Sequence, residues 1–272
     1  MDHRPIGVFD SGLGGLTVVR ELMSCLPNEN IVYFGDTGRV PYGTRSPATI
    51  ERYARQDCRL LLREDVKCII AACGTVSSVA GSILNALPVP AMGVVEPTAQ
   101  AAVRATKSGR IGVIGTSVTV SSGAFERAIH ERMPQAQVFA EACPVLVSLV
   151  ESGWIEPDNA ATEAVVRTYL APLMERQIDT LILGCTHFPL LSPILSKVLG
   201  EGVKLINSGA ATAVACAERL AAREQLSDRN EKGNCRFFVS DRPQGFVTVA
   251  EMFLGRAVCE SIEQVNPEDG GI

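Results

Sequence analysis

At 272 residues the chain can bury one large core or two modest ones. Hydrophobic residues make up 46% of it and charged residues 20%, which excludes global disorder. The net charge of −5 supplies no basic field, so neither nucleic acid nor an anionic membrane is expected as a partner. An anionic ligand would have to be held by local donors. No run approaches bilayer-spanning length and no signal peptide is visible, so a cytoplasmic location with reduced thiols is expected. The nine cysteines include no CxxC pair, and His3, His130 and His187 are the only histidines, so no metal site is expected. Most of the cysteines read as small buried hydrophobes.

In chain order, short apolar runs at 6–9, 31–34, 68–72 and 91–95 read as strands, each followed by loop or helix-start residues. Helical periodicity falls between them, around Leu16, Val19 and Leu22 and over 48–62. Strands alternating with helices predict a doubly wound parallel sheet. The plan then repeats. Ile111-Gly112-Val113-Ile114-Gly115-Thr116 echoes Ile6-Gly7-Val8-Phe9-Asp10-Ser11, and Val138-Phe139 falls where Val32-Tyr33 fell. Leu181-Ile182-Leu183-Gly184-Cys185 echoes Ile69-Ile70-Ala71-Ala72-Cys73, and Leu205-Ile206 is matched to Val94-Val95. Four echoes in one order, at offsets of about 105 to 112 residues, predict two pseudo-symmetric α/β lobes.

The expected division is 1–96 plus 208–272 for the first lobe and 97–207 for the second. A tail helix at 213–224 and a strand at 236–239 would complete the first. Ligands of open α/β sheets bind beyond the carboxyl ends of the strands. Two such lobes would turn those ends toward one cleft, which is the expected active site. Cys73 and Cys185 occupy equivalent strand ends and would face each other across it.

A thiol with an ordinary pKa of about 8.5 can serve as base or acid. Inverting a stereocentre needs a base on one face and an acid on the other. A lone cysteine reads more simply as packing, and the pseudo-symmetric pairing is what favours chemistry. The loop Asp10-Ser11-Gly12-Leu13-Gly14-Gly15 could present backbone donors to an anion, or be a tight turn with a helix cap. Tyr42 reads equally well as a surface residue. The hydroxyls of Thr116, Ser117, Thr119, Ser121 and Ser122 suit a carboxylate or an ST-turn. His187 stands two residues after Cys185, where it could tune a base. Glu151, taken alone, reads as solvent-exposed.

These pieces together resemble the glutamate racemases of the aspartate/glutamate racemase superfamily. The resemblance rests on Asp10-Ser11-Gly12-Leu13-Gly14-Gly15, Tyr33-Phe34-Gly35-Asp36, Pro41-Tyr42-Gly43, Cys73-Gly74-Thr75 and Gly184-Cys185-Thr186-His187-Phe188-Pro189. It implies a cofactor-independent isomerase that interconverts L- and D-glutamate and supplies D-glutamate for peptidoglycan. Cys73 would act on the D-enantiomer with Asp10 as helper, and Cys185 on the L-enantiomer with His187. Glu151 would stand behind them. Substrate contacts would come from Asp10, Ser11, Tyr42, Gly43, Gly74, Thr75, Thr116, Thr119, Thr186 and His187. No metal and no cofactor is implied, and a homodimer is a candidate assembly.

The family usually reads Cys-Asn-Thr where this chain has Cys73-Gly74-Thr75. Restoring the amide in Gly74→Asn is therefore expected to lower KM for glutamate. Asn207 stands where the family often has Asp, a loop position of small expected consequence. Aspartate is the alternative substrate. A pyridoxal-phosphate racemase would need a Schiff-base lysine, and none of Lys67, Lys107, Lys197, Lys204 and Lys232 sits in a suitable motif. An anion-binding protein would not need two opposed thiols, and a redox protein would want CxxC.

Overall fold

The computed structural model describes residues 1–241 and 243–269. The first sheet is built from β1 (Ile6–Asp10), β2 (Ile31–Gly35), β3 (Cys68–Ala71) and β4 (Ala91–Gly93), with β9 (Cys235–Val239) and β10 (Ile262–Gln264) from the tail. The second holds β5 (Arg110–Gly115), β6 (Gln137–Ala142), β7 (Thr180–Leu183) and β8 (Lys204–Asn207). Around the first sheet run α1 (Leu16–Cys25), α2 (Pro47–Arg63), α3 (Gly74–Val79) and α4 (Gly81–Asn85), whereas α5 (Val95–Ala105) packs on β7 and β8 of the second. Then follow α6 (Ser117–Ser121), α7 (Ala124–His130), α8 (Pro144–Glu151), α9 (Ala160–Glu175), α10 (Ser192–Leu199), α11 (Ser208–Ala222) and α12 (Pro243–Leu254).

Every strand pairing is parallel. The first sheet runs β10-β9-β2-β1-β3-β4 and the second β6-β5-β7-β8, so the order 2-1-3-4 of the first is repeated in the second. The central strands β1, β3 and β7 are buried along their whole length, as parallel strands covered by helices on both faces must be. The edge strands β6 and β8 are half-exposed. Two pseudo-symmetric doubly wound lobes are what the repeat predicted.

Some expectations need correction. The run at 91–95 is a strand only to Gly93, because Val94 and Val95 open α5. The register places Ala71 opposite Gly93 in one sheet and Leu183 opposite Asn207 in the other, so β4 itself, not Val94-Val95, is the counterpart of β8. The tail helix begins at Ser208, five residues earlier than the apolar pattern suggested, and β10 was not foreseen. Residues 242 and 270–272, within the range expected for the first lobe, lie outside the described residues. Asn207 is not a plain loop residue. Its side chain accepts from the N–H groups of Gly209 and Ala210 to cap α11, and donates to Glu21 of α1 at 3.2 Å.

Lys67 is wholly buried and structural. Its ammonium meets Glu29 at 2.5 Å and the carbonyls of Asp2 and Gln225 at 2.8 Å, tying the N-terminus to the tail. Seven cysteines are buried and only Cys25 and Cys259 are exposed. Among the described residues no helix is long and apolar enough to cross a membrane, and no three His, Cys, Asp or Glu side chains cluster so as to hold a metal ion.

Candidate active site

The carboxyl ends of β1, β3, β5 and β7 open on one cavity of about 370 Å³ between the lobes. That is within the range of small-ligand sites, roughly 300–1,000 Å³. Cys73 and Cys185 both line it, each two residues beyond the last residue of its strand. Only 5% of Cys73 and 7% of Cys185 is exposed, so each thiol looks into the cavity and is otherwise enclosed. Strand pairing makes the two positions equivalent, since β3 lies on β1 as β7 lies on β5.

The two thiols differ in their surroundings. Cys73 occupies the position just before α3, and its sulfur lies 3.4 Å from the Ser11 hydroxyl. Burial, together with the nearby Asp10 carboxylate, pushes the Cys73 thiol up to about 12, although Ser11 and the Val76 N–H oppose this. Cys73 is therefore a proton carrier at neutral pH. Cys185 instead faces His187, whose Nδ1 is 3.6 Å from the sulfur. The other ring nitrogen meets Glu151 Oε1 at 3.1 Å, and Phe253 of α12 packs edge-on against the ring at 5.2 Å. Burial disfavours charge on His187, yet Cys185, Glu151 and Asp10 outweigh it and raise the imidazolium to about 10.

Glu151 is thus no isolated surface carboxylate. Its side chain is 48% exposed, but it lines the cavity and orients His187 from the end of α8. Removing its charge destabilises the imidazolium, so the sign is fixed. Glu151→Gln is expected to bring the His187 pKa below its value of about 10 and to shift the alkaline limb of activity to lower pH. An NMR titration of the ring checks this, and an unmoved titration removes Glu151 from the role.

Asp10 does not line the cavity. It is buried at the end of β1, where one carboxylate oxygen accepts from the Gly12 N–H at 2.9 Å. The other, Oδ1, is buried without a hydrogen-bond partner among the described residues. Burial raises its pKa, and the His187 charge pulls it back down. Asp10 therefore reaches Cys73 and His187 through its field, while the direct polar partner of Cys73 is Ser11. Thr119 also lies off the cavity, under Thr116.

Thr75, Thr116 and Thr119 form a chain of hydroxyls spaced at 3.0 Å, which joins the first lobe to the second beside the cavity. Thr116 caps α6 by accepting from the Thr119 N–H. Ser11, Gly43, Gly74, Thr75, Thr116 and Thr186 all line the cavity with the thiols. Tyr42 lies at its wall, but its phenol points away and is not a surface group. It donates to Asp36 and lies 3.3 Å from Asp57, with Arg39 bridging both carboxylates at 2.6 and 2.9 Å. Among the described residues no Lys or Arg lines the cavity and His187 is its one cationic side chain, so an anion there relies otherwise on hydroxyl and N–H donors.

Val40, Pro144, Val147 and Ser148 also line the cavity and were not anticipated. Val147 and Ser148 precede Glu151 by four and three residues, hence share its face of α8. Placing Glu151 in the cleft would have brought them with it.

A doubled parallel α/β fold with a cavity between its two sheets is the architecture this chain shares with solved amino-acid racemases. The profile described as Asp/Glu/Hydantoin racemase matches residues 6–216, and the chain belongs to this family. It is 48% identical over 266 residues to a glutamate racemase of Neisseria meningitidis, covering 97% of each chain. A glutamate racemase isoform of Bacillus anthracis superposes with a TM-score of 0.93 at 38% identity, covering 98% of each chain. The glutamate racemase of Francisella tularensis, solved in complex with D-glutamate, gives 0.91 at 38% identity over 99% of this chain and 100% of that one.

Proposed function

We propose that this chain interconverts L- and D-glutamate by two-base proton transfer between Cys185 and Cys73, supplying D-glutamate for peptidoglycan in a bacterial cytoplasm. The observation that carries the reading is the pair of equivalent, enclosed thiols opening on one cavity. Glutamate is favoured over aspartate because the relatives at 46–48% identity are glutamate racemases, and one structural neighbour is complexed with D-glutamate.

From the L-enantiomer, the Cys185 thiolate removes the α-proton and the electron pair stays on Cα, delocalised into the carboxylate. The Cys73 thiol, held protonated by burial, then delivers its proton to the opposite face. The enzyme is left with a Cys185 thiol and a Cys73 thiolate, ready to act on the D-enantiomer. His187, positioned by Glu151, steadies the charge at Cys185, and Ser11 does so at Cys73. The hydroxyls of Thr75 and Thr116 and the loops at Gly43 and Thr186 would hold the carboxylates. We take the lobes to be 1–96 plus 208–272 and 97–207, a reading supported by the two separate sheets, with Cys73 in the first and Cys185 in the second.

Racemisation in D₂O tests the mechanism. The donor thiol exchanges with solvent, so the product should acquire deuterium at Cα while recovered substrate keeps protium at low conversion. Equal labelling of substrate and product would overturn the two-base scheme. Efficient inversion of aspartate with glutamate left untouched would overturn the substrate and spare the thiols.

A further inference from the structure

The first turn of α1, in the first lobe, reaches across to the segment carrying Cys185 and His187. Thr17 is fully buried there, and its hydroxyl lies 2.9 Å from the Thr186 carbonyl and 2.9 Å from that of Gly14. One hydroxyl carries one proton to donate. The Gly14 carbonyl already accepts the Thr17 N–H at 3.0 Å, so it does not depend on the hydroxyl.

The Thr186 carbonyl does depend on it. In the turn that follows, Phe188–Leu191, a local bond to this carbonyl would come from the residue three positions on. That residue is Pro189, which has no N–H. The next candidate, the Leu190 N–H, is spent on the His187 carbonyl at 3.2 Å. Thr186 is 97% buried, since only 3% of it is exposed, so its carbonyl needs a partner from elsewhere in the fold. Gly14 leaves the space for this dock. A Cβ there would stand 2.2 Å from the Thr186 hydroxyl and 2.6 Å from the His187 ring.

We propose that Thr17 is a positioning residue of the racemase, its hydroxyl fixing the Thr186 carbonyl and so the backbone that carries Cys185 and His187. This rests on the function proposed above. The bond runs from one lobe to the other, which sets the Cys185–His187 pair relative to Cys73.

Thr17→Val keeps the shape and removes the donor, whereas Thr17→Ser keeps the donor. The valine variant is expected to lose about 10- to 100-fold in kcat/KM for glutamate, mostly in kcat, while serine restores most of it. The His187 titration, followed by NMR without substrate, should move in the valine variant and stay in the serine variant. A purely packing role would make serine, with its missing methyl, as damaging as valine or more so, and that result overturns the proposal. So does a valine variant with wild-type kinetics and an unmoved titration. Should the valine variant fail to fold, Thr17→Cys, with its weaker donor, must fall between threonine and the loss expected of valine. A cysteine variant equal to wild type sinks the idea. Wild-type protein that does not racemise glutamate overturns the function instead, and the substrate-free titration still decides the dock.

Discussion

Replacing Cys73 or Cys185 by serine is expected to reduce glutamate racemisation by about 10²–10⁴-fold, the usual worth of a positioned acid or base. Both variants should stay folded. Cys73 already occupies the position before the first turn of α3, where serine is among the favoured capping residues. Cys185 precedes a 3₁₀ turn whose packing rests on Phe188 and Leu191. A serine hydroxyl is too weak an acid to replace the thiolate at neutral pH. One thiol alone serves one face of Cα, so each variant should retain some exchange without inversion. With Cys185 replaced, Cys73 should still wash deuterium into the D-enantiomer. With Cys73 replaced, Cys185 should do so with the L-enantiomer. Proton NMR follows the exchange and polarimetry the inversion. Wild-type inversion in either variant would remove that cysteine from the mechanism.

Gly74→Asn is expected to lower kcat by on the order of 10²-fold, the cost of displacing a catalytic group by about 1 Å. This reverses the expectation that an added amide would tighten binding. A Cβ on Gly74 would stand 2.1 Å from the Gly184 carbonyl oxygen, which is backbone and belongs to the other lobe. Gly184 has little room to retreat. Its N–H is bonded to the Ile114 carbonyl at 2.8 Å, and even a Cβ added to it would stand 3.0 Å from the Phe125 ring. The segment carrying Cys73 must therefore move away from the one carrying Cys185. Gly74→Ala is the control, because it adds the Cβ without the amide. Similar losses in both variants assign the effect to the inter-lobe contact. A lower KM with kcat intact in the asparagine variant would show that the contact yields and would restore the original expectation.

The strands, the alternation that makes each sheet parallel, and the doubling of the chain were all legible in residue order. They arise from local periodicity and strand composition, which repeat wherever the same lobe is built. The equivalence of Cys73 and Cys185 followed from that doubling without any knowledge of distance. The ends of elements were less legible. Val94 and Val95 suit a strand by composition, yet β4 ends once its pairing with β3 is complete at Gly93.

What only the tertiary structure decided is how side chains distant in sequence share the cleft. Glu151 meets His187 across 36 residues, and nothing in its neighbourhood in the chain marks it as more than a helix-end carboxylate. Tyr42 lies in the loop expected at the site, but two buried carboxylates, Asp36 at the start of that loop and Asp57 on α2, turn its phenol away. Asp10 ends its strand as expected, while the glycine turn folds over it and leaves it acting through its field. The consequence of Gly74 depends on a carbonyl 110 positions later in the chain. By itself the sequence determined which residues form each lobe and which chemistry each strand end carries, because those depend on neighbours along the chain. The docking of one lobe on the other decided burial, charge and contact in the cleft, because these are set by distances that no local pattern encodes.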